Sequence, residues 1–220
     1  MTAAVVIVAA GSGERLAAGM PKALVPLHGR PMLDWAVGAF DEHPDISGVV
    51  VVVPPAAQSA RLGGRVVVVA GGASRQESVR RGLAAVAADA EWVLIHDAAR
   101  PLVPAQVISS VLEALRRGAS AVIPVLPVAD TIKRVDGSGV VTGTLDRHEL
   151  RAVQTPQGFQ RAALVRAHQA ALDGGLSGVT DDAGVMEAAG YAVQTVPGSP
   201  AAFKITTPYD LALAELLASR

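Results

Sequence analysis

The sequence predicts an α/β fold: a doubly wound, mostly parallel sheet with flanking helices and a protruding β-hairpin arm. Three observations predict it. Short β-branched runs recur at VVIVAA (5–10), VVVVV (49–53), VVVVA (66–70), WVLI (92–95) and AVIPV (121–125). Their apolarity is continuous rather than alternating, as a strand covered on both faces requires. Segments of helical period lie between several of them, and strands alternating with helices build a doubly wound sheet. The alternation breaks once, over 127–153, and that stretch is the arm.

The opening apolar run, Ala3 to Ala10, is too short to span a bilayer. It has no basic leader and runs straight into glycines, so it reads as a buried strand rather than a signal peptide. No other stretch is long enough for a membrane span, and a soluble protein is expected. In SRQESVRRGLAAVAA, Val79, Leu83 and Val86 recur at spacings of four and three; in PAQVISSVLEALRRG, Val107, Val111 and Leu115 do the same. Pro104 suits a first helical turn there and Gly118 a stop. Over 127–153, polar and apolar residues alternate around a DGSG turn, which predicts a two-stranded arm. A lone hairpin is marginal by itself, so it is expected to pack on something else, such as another subunit. Helices follow at 160–173 and 181–190, then a strand near 192–196, a short apolar FKIT segment and a last helix from Pro208. No repeat or linker interrupts the chain, and a single domain over 1–220 is predicted.

Composition narrows the function. Half of the 220 residues are hydrophobic and only 3% aromatic, so the core must come from Ala, Val and Leu. The net charge of −1 lacks the basic surplus of a general nucleic-acid binder. With no cysteine there is no disulfide, thiolate metal site or cysteine nucleophile, which is compatible with a cytoplasmic location.

Gly11-Ser12-Gly13 directly follows the first strand, on the sheet edge where open α/β folds bind ligands. Glycines admit close approach, and successive loop N–H groups form an anion-binding concavity. Arg15 and Lys22 add positive charge, so a polyphosphate is the expected guest. It is not a Walker A loop, since Lys22 precedes Ala23 rather than Ser or Thr; nor is it a dinucleotide fingerprint, since position 16 is Leu. Asp97 ends the WVLIH run over the same edge. A single carboxylate there suits Mg²⁺, which takes one or two protein carboxylates plus phosphate oxygens; a helix cap or an ion pair with Arg100 is the plain alternative. His96 alternates to the opposite face and reads as structural. Ser74 or Ser78 could cap a helix, Arg75 could be a helix-surface charge, and Lys133 a solvated one. Thr155 and Thr180 suit turns or caps as well as a ligand. Adjacent Asp181 and Asp182 read as helix-start carboxylates rather than a metal pair. Lys204, the one cation in FKIT, reads as functional in a short buried strand.

AAGSGERL followed by MPK resembles the A-A-G-x-G-x-R…P-K opening of nucleotidyltransferases, which join nucleoside triphosphates to phosphorylated small molecules. GGASRQESV (71–79), HDAARP (96–101), ADTIK (129–133), DR (146–147), QTPQGF (154–159), TDDA (180–183) and FKIT (203–206) follow in order. That series resembles the 2-C-methyl-D-erythritol 4-phosphate cytidylyltransferase family of the non-mevalonate isoprenoid pathway, over almost the whole chain. The resemblance implies substrates CTP and a sugar-alcohol phosphate, with no nucleic acid or membrane partner. It implies that Ala9, Ala10, Gly11, Ser12, Gly13, Gly71, Gly72, Arg75, Ser78, Asp97 and Ala98 cradle the nucleotide, largely through backbone groups. Ala73 stands where the family pattern commonly has Asp, a departure that bears on base contacts. Thr131, Arg147, Thr155, Thr180, Lys204 and Arg100 are implied for the acceptor, and Arg15, Lys22, Lys204 and Arg147 for catalysis. The arm is implied to reach across a homodimer, so that Thr131 and Arg147 serve the neighbour's site. Alternatives are a ribitol-5-phosphate cytidylyltransferase and a non-catalytic CTP-binding module.

Overall fold

The computed structural model describes residues 2–10, 20–55, 65–176 and 178–219. In chain order its elements are β1 (Thr2–Val8), β2 (Pro26–Leu27), β3 (Arg30–Pro31), α1 (Met32–Asp41), β4 (Ile46–Val53), β5 (Val66–Ala70), α2 (Arg75–Ala85) and β6 (Ala90–Asp97). They continue with α3 (Ala105–Arg116), β7 (Ala121–Pro127), β8 (Lys133–Val135), β9 (Val141–Thr144), β10 (Arg151–Val153) and β11 (Gln157–Gln160). The chain closes with α4 (Arg161–Asp173), α5 (Asp182–Ala188), β12 (Val193–Pro197) and α6 (Pro208–Ala218).

Eight strands form one sheet in the order β10-β7-β11-β6-β1-β4-β5, with β12 also on β7. The pairs β1–β4, β1–β6, β4–β5 and β7–β12 are parallel, whereas β10 and β11 run antiparallel to their neighbours. The strand period of two explains the unbroken apolar runs. Ala3, Val5 and Ile7 of β1 pack with Phe40 of α1 and Val111 and Leu112 of α3. Ala4 and Val6 pack on the other face with Val79 and Leu83 of α2, Leu164 of α4 and Met186 of α5. Each such side chain contributes about 1.5–3 kcal/mol when fully buried, so both helical layers are held by the sheet rather than by one another.

The doubly wound expectation holds, and four details differ. No element is predicted over 32–41, yet α1 forms there, burying Met32, Leu33, Ala36, Val37 and Phe40 along one helical stripe. No element is predicted over QTPQGF either, yet its second half is β11, inserted antiparallel between β6 and β7. FKIT forms no strand; its backbone is tied to the loop after β6 by Ile205 N–H to Ala99 O at 2.8 Å. Pro104 caps α3 from outside rather than sitting within its first turn.

The hairpin is shorter than 127–153. Pro127 and Arg151–Val153 belong to the main sheet, and β8 pairs only with β9. Its turn is built by Asp136, whose Oδ1 accepts from Ser138 N at 2.9 Å and Val140 N at 3.0 Å. Gly139 supplies the left-handed conformation (φ +85°) that the turn needs.

Candidate active site

Val8 and Asp97 are register partners at the ends of β1 and β6, so the chain leaves the sheet side by side after each. Ala9 N–H is held by Val52 O at 2.8 Å and Ala98 N–H by Val8 O at 3.1 Å, and both alanines are buried. Gly11, Ser12, Gly13 and Arg15 lie outside the described residues.

The alternation of β6 sorts its last two residues. Trp92 and Leu94 pack towards α1 and α3, Val93 and Ile95 towards α2 and α4. His96 therefore faces Phe40, ring centroids 4.8 Å apart, while Asp97 faces α2. Lys204 Nζ donates to Asp97 Oδ2 at 2.8 Å, and Arg75 Nη2 stands 3.6 Å from Oδ1. Burial alone would raise the Asp97 carboxyl, but Lys204, Arg75 and the Lys204 hydrogen bond outweigh it and hold the pKa at about 2. The carboxylate is thus charged at any physiological pH.

Lys204 is exposed, on an irregular segment rather than in the buried strand expected for it. Its place is set from both sides: Ile205 by Ala99 O, and Ala202 O by Arg100 Nη1 at 2.8 Å. Thr207 then caps α6 in a capping box with Asp210, stopping the segment. Lys22 opens a short 3-10 turn, Lys22–Leu24, behind Pro21. Val25 and Leu27, just beyond it, share a small buried cluster with Ile205, so the two lysine-bearing segments are packed on one another.

The second glycine turn is preformed. Gly71 N–H binds Val53 O at 2.7 Å, Gly72 N–H binds Ser78 Oγ at 3.0 Å and Ala73 N–H binds Glu77 Oε2 at 2.8 Å. A Cβ at Gly71 would lie 2.7 Å from the Ala10 Cβ, so this glycine lets the two turns touch. The buried hydroxyl of Ser78 also supports the turn, donating to Ser74 O at 2.9 Å. Ser74 is the N-cap of α2, accepting from Glu77 N at 3.1 Å.

Several side chains are tied to one another around Asp97. The buried Oγ1 of Thr155 accepts from Asp97 N–H at 3.1 Å and meets His96 Nδ1 at 3.0 Å. His96 Nε2 lies 3.2 Å from Arg100 O, an atom that only accepts, so Nε2 carries the proton and Nδ1 accepts from Thr155. Burial holds His96 neutral, with its pKa lowered to about 4. Arg100 makes no ion pair with Asp97; its guanidinium donates to the carbonyls of Ala202 and Val153, and burial lowers its pKa despite the pull of Asp97. Arg75 is no surface charge: Nη1 donates to buried Asp182 at 2.8 Å. Asp181 caps α5 through Gly184 N–H at 3.0 Å, as the helix-start reading expected, and Thr180 precedes it on the surface.

Thr131 and Arg147 stand exposed on the arm, where Arg147 donates to Ala129 O, and Lys133 donates to Thr144 Oγ1 at 2.7 Å. Sequence reasoning missed Gln157 and His168, both buried beneath Asp181 and Asp182. His168 falls four residues after Leu164 on the buried stripe of α4, the signal that could have flagged it.

Among the described residues no three His, Asp or Glu side chains cluster as a ready cation site, and no helix is long and apolar enough to cross a membrane. Asp97 fits a hard cation shared with phosphates: it is ionised, 14% exposed and held tightly at only one oxygen.

An ionised carboxylate and two lysine-bearing segments over the carboxyl edge of such a sheet suit the handling of polyphosphates, and the class that the fold and site define is the nucleotidyltransferases. The family model of 2-C-methyl-D-erythritol 4-phosphate cytidylyltransferase matches residues 3–220. A relative of that name from Rhodococcus jostii (strain RHA1) is 54% identical over 212 residues, covering 95% of this chain and 92% of its own. One from Prochlorococcus marinus (strain MIT 9313) is 48% identical over 215 residues, covering 95% of each. The crystal structure of the enzyme of that name from Thermus thermophilus superposes with a TM-score of 0.86 at 42% identity, covering 100% of both chains. The chain belongs to the 2-C-methyl-D-erythritol 4-phosphate cytidylyltransferase family.

Proposed function

We propose that the chain transfers the cytidylyl group of CTP to the phosphate of 2-C-methyl-D-erythritol 4-phosphate, releasing pyrophosphate. Family membership supports the reaction; the Lys204–Asp97 pair over the sheet edge is the observation that carries it to these residues. An oxygen of the acceptor phosphate attacks the α-phosphorus of CTP, the new P–O bond forms, and the bond to the departing pyrophosphate breaks. A phosphate monoester has its second pKa near ~6, so the attacking oxygen is already anionic and needs no protein base. What the protein must supply is positioning and positive charge, since two polyanions repel.

Arg15 and Lys22 receive the triphosphate with Ala9, Ala10, Gly11, Ser12 and Gly13, while Gly71, Gly72, Arg75 and Ala98 frame the nucleoside. Lys204 turns from Asp97 to the phosphates at the reacting centre. Asp97 would hold Mg²⁺ or another divalent cation, which when bound supplies charge neutralisation on the triphosphate oxygens. Thr180 lies on the acceptor side, and Arg100 fixes the backbone under Lys204.

The chain acts as a single domain whose arm joins a cytoplasmic homodimer, and Thr131 and Arg147 complete the partner's acceptor pocket. Val135, Val140 and Val141 support this, being 55%, 60% and 56% exposed on the arm of the single chain. Such apolar exposure on a free hairpin favours burial against a second copy. An arginine fork suits a phosphate bidentately.

The test is pyrophosphate release with each of four nucleoside triphosphates, crossed with methylerythritol and ribitol phosphates. Turnover is expected with CTP and the methylerythritol ester. Preference for the ribitol ester reassigns the acceptor, and CTP binding without release under any pairing leaves only a nucleotide-binding module.

A further inference from the structure

The contacts that orient Asp97 continue beyond Arg75. The tighter of the two carboxylate contacts of Arg75 is the one to Asp182, at 2.8 Å, against 3.6 Å to Asp97. Asp182 is fully buried, and its other oxygen accepts from His168 Nε2 at 3.0 Å. His168 is buried too, and its Nδ1 has no hydrogen-bond partner among the described residues, so the ring is placed for the sake of its Nε2 bond. The start of α5 that carries Asp182 is pinned to the sheet. Gln157 of β11 donates to Asp181 Oδ2 at 2.7 Å and accepts from Ala183 N–H at 3.2 Å. Since β11 pairs with β6, Asp182 and Asp97 are held in one rigid frame, with the guanidinium of Arg75 between them.

We infer that His168 and Asp182 are positioning residues for the transfer reaction, acting through Arg75 on Asp97. The inference rests on the reading of Asp97 as the carboxylate of the reaction site. A buried carboxylate is an expensive way to join two helices, and well-packed apolar residues would hold α4 to α5 as firmly. Its charge has a directional consequence instead. By holding Nη1, Asp182 keeps Arg75 from closing on Asp97 with both nitrogens, the geometry a guanidinium adopts with a lone carboxylate. Asp97 Oδ1 therefore keeps only a loose contact and remains available to a ligand.

Kinetics and NMR on the whole chain test this. Asp182→Asn and His168→Leu are each expected to lower kcat by ~10-fold, the scale on which residues behind a ligand act. His168→Gln, which keeps a donor near the Nε2 position, is expected to stay within ~2-fold of wild type, because it preserves the charge-assisted hydrogen bond. In an Arg75→Gln background both effects are expected to shrink to ~2-fold or less, since residues acting through a shared partner are not additive. The guanidinium resonances of Arg75 are expected to lose exchange protection in Asp182→Asn. Equal losses in both backgrounds, or unchanged Arg75 resonances, overturn the inference. The isosteric Asp182→Asn carries the test if His168→Leu does not fold. A freed guanidinium with wild-type kcat overturns the inference as well, and Asp97→Ala checks the reading of Asp97 on its own.

Discussion

Lys204 and Asp97, 107 residues apart in sequence, meet at 2.8 Å over the carboxyl edge of the sheet. One partner is largely but not fully buried at the end of a strand; the other is nearly half exposed on an irregular segment. That asymmetry makes the pair a poor fastener; on the proposed reading the lysine leaves for an incoming phosphate while the carboxylate stays.

Lys204→Ala should separate activity from stability. A pair with one exposed member is worth at most ~1 kcal/mol to folding, so the midpoint of thermal unfolding should move by only a few degrees. Loss of a cation serving the reacting phosphorus should lower kcat by ~10²-fold, the scale of removing an oxyanion donor. Thermal unfolding and pyrophosphate release, measured on the same preparation, check both halves. A folded variant with wild-type turnover would remove Lys204 from the mechanism.

Thr155→Val tests whether that hydroxyl supports Asp97 or touches the acceptor. The valine leaves the Asp97 N–H and His96 Nδ1 unpaired in the interior, where an orphaned polar group costs about 1–3 kcal/mol. Urea unfolding should show that loss, and Thr155→Ser should largely recover it. For a scaffold role the acceptor KM stays near wild type in Thr155→Ser. A raised acceptor KM in a variant of undiminished stability would assign Thr155 to direct contact with the acceptor.

The parallel sheet was legible because its strands announce themselves: VVVVV at 49–53 is buried on both faces and carries no competing pattern. Helix α1 carries an equally regular stripe from Met32 to Phe40, but the sequence ahead of it gives no start signal other than Pro31. The same divide runs through the site. Gly71, Asp97 and Lys204 were marked by residue type and position, each being conspicuous against its neighbours. Thr155, Ser78 and Arg100 were also conspicuous, yet their side chains turn inward, and no one-dimensional pattern says which way a hydroxyl or guanidinium at a turn will point. Asp182 and His168 come together only because α4 and α5 pack beside β11, a relation between segments that local sequence does not hold.

The arm reading predicts complementation. Mixed Arg147→Ala and Lys22→Ala subunits should recover activity that neither homodimer shows, because one of the two sites in each heterodimer is then wild type throughout. With random mixing, half of the dimers are mixed and each carries one intact site, so recovery should approach about a quarter of wild type, given that linked subunits exchange partners freely. Native mass spectrometry would verify the mixed species. Verified heterodimers without activity would place the whole site within one chain.

Acid stability should report on His96. Its pKa in the folded protein is lowered to about 4 from 6.5, chiefly by burial, with Asp97 and the Arg100 carbonyl opposing and the Arg100 charge adding. The unfolded chain therefore takes up a proton first, and stability falls as pH drops from about 6.5 towards 4. Each pH unit between those two values is worth about 1.4 kcal/mol, so the loss over the window amounts to ~3 kcal/mol, and this group adds nothing further below it. Asp97 does not confuse the window, because a carboxyl lowered from 3.8 to about 2 contributes its stability above 3.8 and loses it only at lower pH. Urea unfolding at pH 6.5 and pH 4.5 should show the decline in the wild type and a smaller one in His96→Gln, whose amide keeps a donor for Arg100 O. Equal declines in the two proteins would assign acid sensitivity to other groups.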